Sequence, residues 1–125
     1  MEKKPIVTIG LVVRNAQHTI GQAMESIIEQ DFPHELMELI VVDGCSKDST
    51  LSIIKDYVGK IDIKSKIFRE NEGLGKARQI VVENAKGDYI VWVDADMILP
   101  KDHVRKQVAF MQANPKVAIA CARFY

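Results

Sequence analysis

Apolar segments alternate along the chain with segments of helical periodicity. Four apolar segments, residues 6–13, 36–42, 64–69 and 89–93, each predict a β-strand. The first and the last are nearly continuous apolar runs, which indicates buried strands, whereas residues 64–69 alternate polar and apolar and predict a half-exposed edge strand. A fifth strand is predicted at residues 117–121.

Each of the four strands is followed by a predicted helix. Apolar residues recur at helical spacing from Ile20 to Ile28. Further helices are predicted over residues 49–58, with Ser46 or Asp48 as the candidate cap, from Leu74 towards Gly87, and from Pro100 to Asn114. The alternation predicts one α/β domain over residues 1–125, a Rossmann-like three-layer α/β/α sandwich with a mainly parallel sheet.

Charge, cysteine content and the first residues narrow the classes of function. Seventeen Lys and Arg balance 17 Asp and Glu, so no global field favours nucleic acid or a membrane surface as a partner. The chain shows no signal-peptide pattern and no apolar run of transmembrane length, which leads us to expect a cytoplasmic protein. Cys45 and Cys121 are too far apart to suggest a disulfide framework or a CxxC metal site.

Polar clusters follow all four predicted strands. Arg14 and Asn15 follow the first, residues 43–48 the second, residues 71–78 the third, and an Asp-Ala-Asp segment at 94–96 the fourth. In open parallel sheets, ligands bind beyond the carboxyl ends of the strands, where the strand order reverses. The clusters therefore predict a ligand site at this edge.

Asp94 and Asp96 are the residues that point most directly to chemistry. In an extended segment, alternation places both carboxylates on one side, where their charges repel each other unless a cation lies nearby. Hard oxygen ligands of this kind suit Mn²⁺ or Mg²⁺, with substrate phosphates as further ligands. The alternative is that the pair caps the helix that begins near Pro100.

Lys76 and Arg78 lie at a predicted helix start that also contains Gly73 and Gly75. Exposed backbone N–H groups, the positive end of the helix dipole and two cations could hold a diphosphate. The alternative is that the glycines only allow a turn and the cations are solvated. Together with the acidic pair, the two cations describe a metal–diphosphate site.

Two further residues are candidates for contact with a nucleoside. Asp43 could accept hydrogen bonds from a nucleobase or ribose, or could cap a helix. The planar guanidinium of Arg14 could stack on a base, or could pair with a neighbouring acid. No P-loop and no complete dinucleotide fingerprint follows any strand, which argues against a P-loop NTPase or a Rossmann dehydrogenase.

Five motifs in order resemble the family 2 glycosyltransferases of the GT-A fold, and the resemblance extends over residues 6–125. The matching segments are residues 7–15, residues 26–33 (S-I-x-x-Q-x-x-P), residues 41–50 (V-V-D-x-x-S-x-D-x-T), residues 71–78 (N-x-G-x-x-x-A-R) and residues 85–100 with the D-x-D sequence. The resemblance implies a glycosyltransferase that binds a UDP- or GDP-sugar with Mn²⁺ or Mg²⁺.

The resemblance also implies roles for single residues. Asp96 would be the principal metal ligand, and Asp94 would lie nearer the ribose or sugar. The implied substrate-binding residues are Arg14, Asn15, Asp43, Lys76, Arg78 and Asp94, and the implied metal ligands are Asp94 and Asp96. Arg14 and Asp43 would border the nucleobase, and the two helix cations would lie near the base or diphosphate.

Two departures from the family pattern leave the nucleobase open. Many relatives have a second Asp after the position of Asp43, used on the base, and this chain has Gly44. The proline and tyrosine often found at the end of the first strand are replaced by Val12 and Arg14.

In this family the catalytic base, usually an Asp, lies beyond the matched region, so the resemblance implies no catalytic base in this chain. We expect an N-terminal donor-binding portion without the acceptor-binding half, which transfers sugar poorly or not at all. The acceptor, whether glycan, lipid or protein, stays open, and full-length relatives often work at a membrane. The alternatives are a non-catalytic sugar-nucleotide-binding module and, less favoured, a sugar-phosphate nucleotidyltransferase.

Overall fold

Four strands and four α-helices alternate along residues 4–116, the part of the chain that the computed structural model describes. The elements are β1 (Val7–Val13), α1 (Ile20–Ile28), a short 3-10 helix (His34–Leu36), β2 (Met37–Asp43), α2 (Thr50–Val58), β3 (Lys64–Arg69), α3 (Leu74–Asn84), β4 (Tyr89–Asp94) and α4 (His103–Ala113). The strand predicted at 117–121 lies outside the described residues. None of the helices within residues 4–116 has the length and hydrophobicity of a membrane span.

β1 is an inner strand of a four-stranded parallel sheet with the order β3-β2-β1-β4. The chain moves outwards from β1 to β2 and β3, then returns so that β4 pairs with the other side of β1. The strand order therefore reverses between β1 and β4, and the binding position expected for such sheets lies beyond their carboxyl ends. The predicted parallel sheet is confirmed.

Helices cover both faces of this sheet. One apolar core joins alternate residues of β1 and β2 to residues of α1, α2 and α4. The other joins Ile40 and Val42 of β2 to Ala77 and Val81 of α3. The predicted three-layer arrangement is thus confirmed, and β3 is the half-exposed edge strand that its alternating pattern predicted. The prediction that β4 is a buried strand is wrong, because within residues 4–116 it is the other edge strand and Trp92 is 39% exposed.

Gly87 fixes the start of β4 and does not end a helix. α3 stops at Asn84, and Gly87 lacks the positive φ of a glycine C-cap, so that prediction is wrong. A Cβ at Gly87 would lie 2.7 Å from the backbone N of Thr8. The N–H of Gly87 donates to Thr8 Oγ1 at 3.0 Å. The Thr8 hydroxyl in turn donates to the buried carboxylate of Glu38 at 2.6 Å, and the N–H of Lys86 donates to the same carboxylate at 2.5 Å.

Asp48 binds the start of α2 from one residue before the N-cap position, which Ser49 occupies without a capping bond from its side chain. Its Oδ1 accepts hydrogen bonds from the backbone N–H of Thr50 at 3.0 Å and from the Thr50 hydroxyl at 2.5 Å. Its Oδ2 accepts from the backbone N–H of Gln17 at 3.3 Å. The bond from the Thr50 hydroxyl is the largest cause that lowers the pKa of Asp48. Neither Asp48 nor Ser46 is the N-cap residue, but Asp48 is the one that binds the first residue of the helix, while Ser46 binds Asp43.

We expect Gly87→Ala to lower the free energy of unfolding by about 1–3 kcal/mol, because the new methyl group would overlap the β1 backbone. Gly75→Ala is the matched control: a Cβ there meets nothing within 4 Å, and alanine suits a helix better than glycine. Urea unfolding of both variants beside the wild type measures the difference. Equal losses in the two variants would contradict the close-packing role of Gly87.

Asp48→Asn should lower stability in a way that depends on pH. The hydrogen bonds favour the ionised carboxylate, so the folded-state pKa of Asp48 lies below its ordinary value of 3.8. The contribution of Asp48 is therefore fully present above that ordinary value and is lost as the pH falls through the folded-state pKa. Urea unfolding of wild type and variant should show a difference that is largest at neutral pH and shrinks below about pH 4. A difference that is constant with pH would contradict the assignment.

Candidate functional site

The candidate residues from all four strand ends lie at the carboxyl edge of the sheet. The register pairs Val12 with Asp94 and Val13 with Asp43, so β1, β2 and β4 end at nearly the same level. Arg14 continues from β1 at this level, and α3 begins at the same edge because it follows β3 in a parallel crossover. The predicted clustering at one edge is confirmed.

Asp94 is the last residue of β4, and Asp96 lies in the turn that follows. The backbone N–H of Met97 donates to the carbonyl of Asp94 at 3.0 Å and closes this turn. The prediction that both acids belong to one extended segment is wrong, because pairing with β1 stops at Asp94. Both side chains are exposed. Alternation along β4 places Asp94 on the same face of the sheet as Trp92.

Neither acid caps α4. The helix begins at His103, after Asp102, and the backbone N–H of Val104 donates to Oε1 of buried Gln30 at 2.9 Å. Within residues 4–116, the side chains of Asp94 and Asp96 make no hydrogen bond and no ion pair. The helix-cap alternative is therefore wrong, and two carboxylates at the reversal of strand order are left available to a ligand.

The N-terminus of α3 presents unpaired donors at the same edge. Glu70 holds the preceding loop by accepting a hydrogen bond from the backbone N–H of Gly73 at 3.0 Å, and Gly73, with φ 111°, turns the chain into the helix. The backbone N–H groups of residues 74–76 make no hydrogen bond among the described residues. Ala77 is the first to bond, to the Gly73 carbonyl at 3.1 Å. Such free donors and the helix dipole favour an anion.

Arg78 lies over the ring of Trp92. Its guanidinium carbon is 5.9 Å from the ring centroid, within the range of a cation–π interaction. Trp92 is 39% exposed and shares its sheet face with Asp94. Lys76 is exposed and makes no ion pair in the part of the chain described. The structure thus places both cations and both acids at one end of the sheet without direct contact between them.

Asp43 is fully buried and hydrogen-bonded. Its Oδ1 accepts from the Ser46 hydroxyl at 2.5 Å, its Oδ2 accepts from the Ser46 backbone N–H at 3.1 Å, and Nε of Arg69 lies 3.4 Å from Oδ2. Asp43 therefore holds the loop between β2 and α2. Its contact with a nucleobase stays a prediction, because its side chain has no exposed surface here.

Asn15 joins the loop after β1 to the loop after β2. Its backbone N–H donates to Ser46 Oγ at 2.8 Å, and its side-chain Oδ1 accepts from the backbone N–H of Lys47 at 2.8 Å. The adjacent N–H of Ala16 donates to Thr50 Oγ1 at 2.7 Å. Asn15 has a left-handed backbone with φ 49°, which Asn tolerates better than most residues. The two loops form one hydrogen-bonded wall, and the role of Asn15 towards a substrate stays a prediction.

The side-chain stem of Arg14 lies along Gly44, and its guanidinium makes no ion pair within residues 4–116. A Cβ built on Gly44 would lie 3.4 Å from Cβ of Arg14 and 3.5 Å from its Cδ. Arg14 is exposed and makes no ion pair within residues 4–116, so the alternative of pairing with a neighbouring acid is wrong. The stem of Arg14 lies alongside the position where a side chain at residue 44 would begin.

Sequence reasoning missed the structural roles of three polar residues, two at this edge and one just after the end of α1. Arg69 pairs with Asp43, and the strand order would have indicated this, because β3 places Arg69 level with Asp43. Ser46 was considered only as a helix cap, although it bonds Asp43 and Asn15. Gln30 was seen only as one letter of a motif, although it binds the start of α4.

Solved structures with a similar fold confirm the GT-A assignment. The mannosyltransferase PcManGT from Pyrobaculum calidifontis, in complex with GDP-Man and Mn²⁺, superimposes with a TM-score of 0.84 at 28% identity, over 92% of this chain and 34% of that chain. Staphylococcus aureus TarS 1-349 in complex with UDP gives a TM-score of 0.78 at 28% identity, over 87% of this chain and 32% of that chain.

Relatives found by sequence agree with this. The poly(ribitol-phosphate) beta-N-acetylglucosaminyltransferase TarS of Staphylococcus aureus is 34% identical over 101 residues, which are 80% of this chain and 18% of TarS. The putative teichuronic acid biosynthesis glycosyltransferase TuaG of Bacillus subtilis is 36% identical over 110 residues, which are 86% of this chain and 42% of TuaG. The chain thus spans less than half of these relatives. Because the family model for glycosyl transferase family 2 matches residues 8–125, the chain belongs to glycosyl transferase family 2.

Proposed function

We propose that this chain binds a nucleotide-diphosphate sugar together with a divalent metal ion, as the donor-binding part of a glycosyltransferase. The observation that carries the proposal is the pair Asp94 and Asp96, which is exposed, caps no helix and has no partner among the described residues. Relatives with the same fold have been solved with UDP, with UDP-GlcNAc, and with GDP-Man and Mn²⁺, which supports a donor of this class.

The chemistry of the acidic pair fits a hard cation. Asp94 and Asp96 offer carboxylate oxygens, the ligands that Mn²⁺ and Mg²⁺ prefer. Within residues 4–116 no group of three or more His, Cys, Asp or Glu side chains could hold a metal, so the donor diphosphate and water would complete the coordination. Asp96 is the proposed principal ligand, with Asp94 nearer the ribose or sugar. When bound, the ion offsets the negative charge of the leaving diphosphate.

The start of α3 is the proposed diphosphate site. The free N–H groups of residues 74–76 and the positive end of the helix dipole favour phosphate oxygens. Lys76 adds a charge that no protein acid neutralises in the described residues. Arg78 adds a second charge, and its contact with Trp92 limits the orientations that its guanidinium can adopt. The same features give the site little affinity for an uncharged nucleoside.

The loops after β1 and β2 are the proposed nucleoside side of the site. Arg14 is exposed and unpaired at the end of β1, where its planar guanidinium can stack on a base. Asp43 and Asn15 support this side by holding the two loops together. Both UDP- and GDP-sugars agree with this arrangement, since no described side chain selects between their bases.

The proposed reaction is inverting transfer of the sugar to an acceptor hydroxyl on a glycan, lipid or protein. The hydroxyl attacks the anomeric carbon, a base takes the hydroxyl proton, and the nucleotide diphosphate leaves. Residues 4–116 hold the leaving group and orient the anomeric carbon in this scheme. We assign the base to none of them.

Asp96→Asn should weaken metal-dependent donor binding. The change keeps the size of the side chain but removes the charge that attracts the cation, so we expect the affinity for UDP or GDP in the presence of Mn²⁺ to fall at least about tenfold. Isothermal titration calorimetry with UDP, GDP and their sugar conjugates, with Mn²⁺ or with EDTA, measures it.

Asp88→Asn is the matched control for this experiment. Asp88 is an exposed acid beside the other end of β4, where it pairs with Lys4 at 3.0 Å. Its removal should leave nucleotide affinity unchanged. If Asp96→Asn binds as tightly as the wild type in the presence of Mn²⁺, Asp96 is not the metal ligand.

Lys76→Met should weaken binding of the diphosphate and leave binding of the nucleoside unchanged. We expect the affinity for the better-bound of UDP and GDP to fall about three- to tenfold at low salt, with a smaller salt dependence than the wild type shows. Lys86→Met is the control, since Lys86 is also exposed but lies at the opposite edge of the sheet. Equal effects of the two changes would indicate a general charge effect and contradict a local phosphate contact.

A further inference from the structure

The side-chain amide of Gln30 joins the end of α1 to the start of α4. Gln30 is 5% exposed. Its Nε2 donates to the carbonyl of Ser26 at 3.1 Å and to the carbonyl of Pro100 at 2.7 Å, and its Oε1 accepts from the backbone N–H of Val104 at 2.9 Å. The last two bonds reach the segment that follows the acidic pair, so this one side chain ties α1 to α4.

The neighbouring residue attaches the same segment a second time. The backbone N–H of Asp31 donates to the carbonyl of Lys101 at 2.9 Å. The carboxylate of Asp31 also lies 3.2 Å from Nε of Arg105, on the exposed side of the contact. The start of α4 is therefore fixed to the end of α1 by one buried amide and by this backbone bond, and the exposed ion pair adds little.

The segment that carries Asp96 is held at its two ends. Asp94 is fixed by strand pairing with β1, and Pro100 is fixed by Gln30. Between these ends, the N–H of Met97 donates to the Asp94 carbonyl, Ala95 and Met97 pack against the core, and Leu99 is buried. The side chain of Asp96 itself has no partner among residues 4–116. The position of the Asp96 carboxylate therefore depends on the anchors of its segment and not on contacts of its own.

We infer that Gln30 is a positioning residue for the metal-binding carboxylate of Asp96. The inference rests on the proposed function of the acidic pair, and Gln30 itself touches neither metal nor donor. Only a side chain that carries a donor and an acceptor at one end satisfies Pro100 and Val104 together. A carboxylate would bring a second acceptor against the Pro100 carbonyl, and a thioether would make neither bond. This gives the glutamine of the S-I-x-x-Q-x-x-P motif a physical role.

Gln30→Met tests the inference with two measurements. Without any ligand, amide hydrogen exchange should become faster at Val104, which loses its acceptor, and across residues 95–99. With Mn²⁺, the affinity for the better-bound of UDP and GDP should fall about tenfold, as expected when support for a metal ligand is lost. The affinity measured in EDTA should stay as in the wild type, which a general loss of folded protein would not produce.

Two control variants separate positioning from stability. Ser26→Ala removes a buried hydroxyl that donates to the Ala23 carbonyl inside α1, four residues before Gln30, and leaves the bonds of Gln30 intact. Thr8→Val removes a buried hydrogen bond to Glu38 near the start of β1, at the edge of the sheet opposite to Asp94. Both should destabilise the fold and leave the metal-dependent affinity within about twofold of the wild type.

The outcomes distinguish this inference from the proposed function. If the wild type binds no nucleotide with Mn²⁺, the proposed function fails and the inference fails with it. If the wild type binds and Gln30→Met binds equally well, or if residues 95–99 exchange as before, only the inference is overturned. Should Gln30→Met not fold, Gln30→Glu keeps the acceptor for Val104 and loses the bond to Pro100. The same weaker metal-dependent binding is then expected, and unchanged binding overturns the inference.

Discussion

Parallel pairing of β1 with β2 on one side and β4 on the other is the constraint on which the rest of the structure depends. Parallel neighbours require a crossover on each connection, so every loop that leaves a strand begins at the same edge of the sheet. Because β4 joins β1 and not β3, the loops after β1 and β4 diverge and leave room between them. Gly10 allows α3 and Trp92 to pack closely on β1, since a Cβ there would lie 2.9 Å from Val81 and 3.0 Å from the ring of Trp92.

The edge so formed has two parts with different internal bonding. Around Asp43 and Asn15, polar groups of the loops after β1 and β2 bond one another, and backbone N–H groups are used by Ser46 and Thr50. Around the start of α3 and the end of β4, charged groups and backbone N–H groups have no partner in the described residues. The first part is formed before any ligand arrives, while the second has polar groups that only a ligand and water can satisfy.

The sequence predicted the elements and the edge well because periodicity and strand ends are local properties. Burial of β1 on both faces, the half-exposed strand β3 and the grouping of polar clusters all followed from patterns within short segments. The errors came from interactions between distant segments. The local sequence predicts a helix end at Gly87, because the contact that requires this glycine is with Thr8 on a different strand. Asp94 and Asp96 were expected in one extended segment because the end of pairing with β1 is not visible locally.

Side-chain partners were the least predictable part for the same reason. Gln30 and Val104 are far apart in sequence, as are Asn15 and Ser46, and nothing local in the residues indicates that they meet. Asp43 shows the limit most clearly. Its position after an apolar strand indicated a residue open to a ligand, whereas the strand order places Arg69 beside it and buries the carboxylate. The partners of these side chains depend on which strands are neighbours in the sheet. The alternation of strands and helices along the chain does not determine the order of the strands.

The contact between Arg78 and Trp92 has a consequence for how this chain can be observed. The sequence contains a single tryptophan, so all indole fluorescence comes from one ring. That ring is partly exposed, lies under a guanidinium from α3 and shares its strand face with Asp94. Any change in the contact between Arg78 and this ring would change the polarity around the indole. The protein therefore carries an intrinsic optical probe at the end of the sheet where its charges are unpaired.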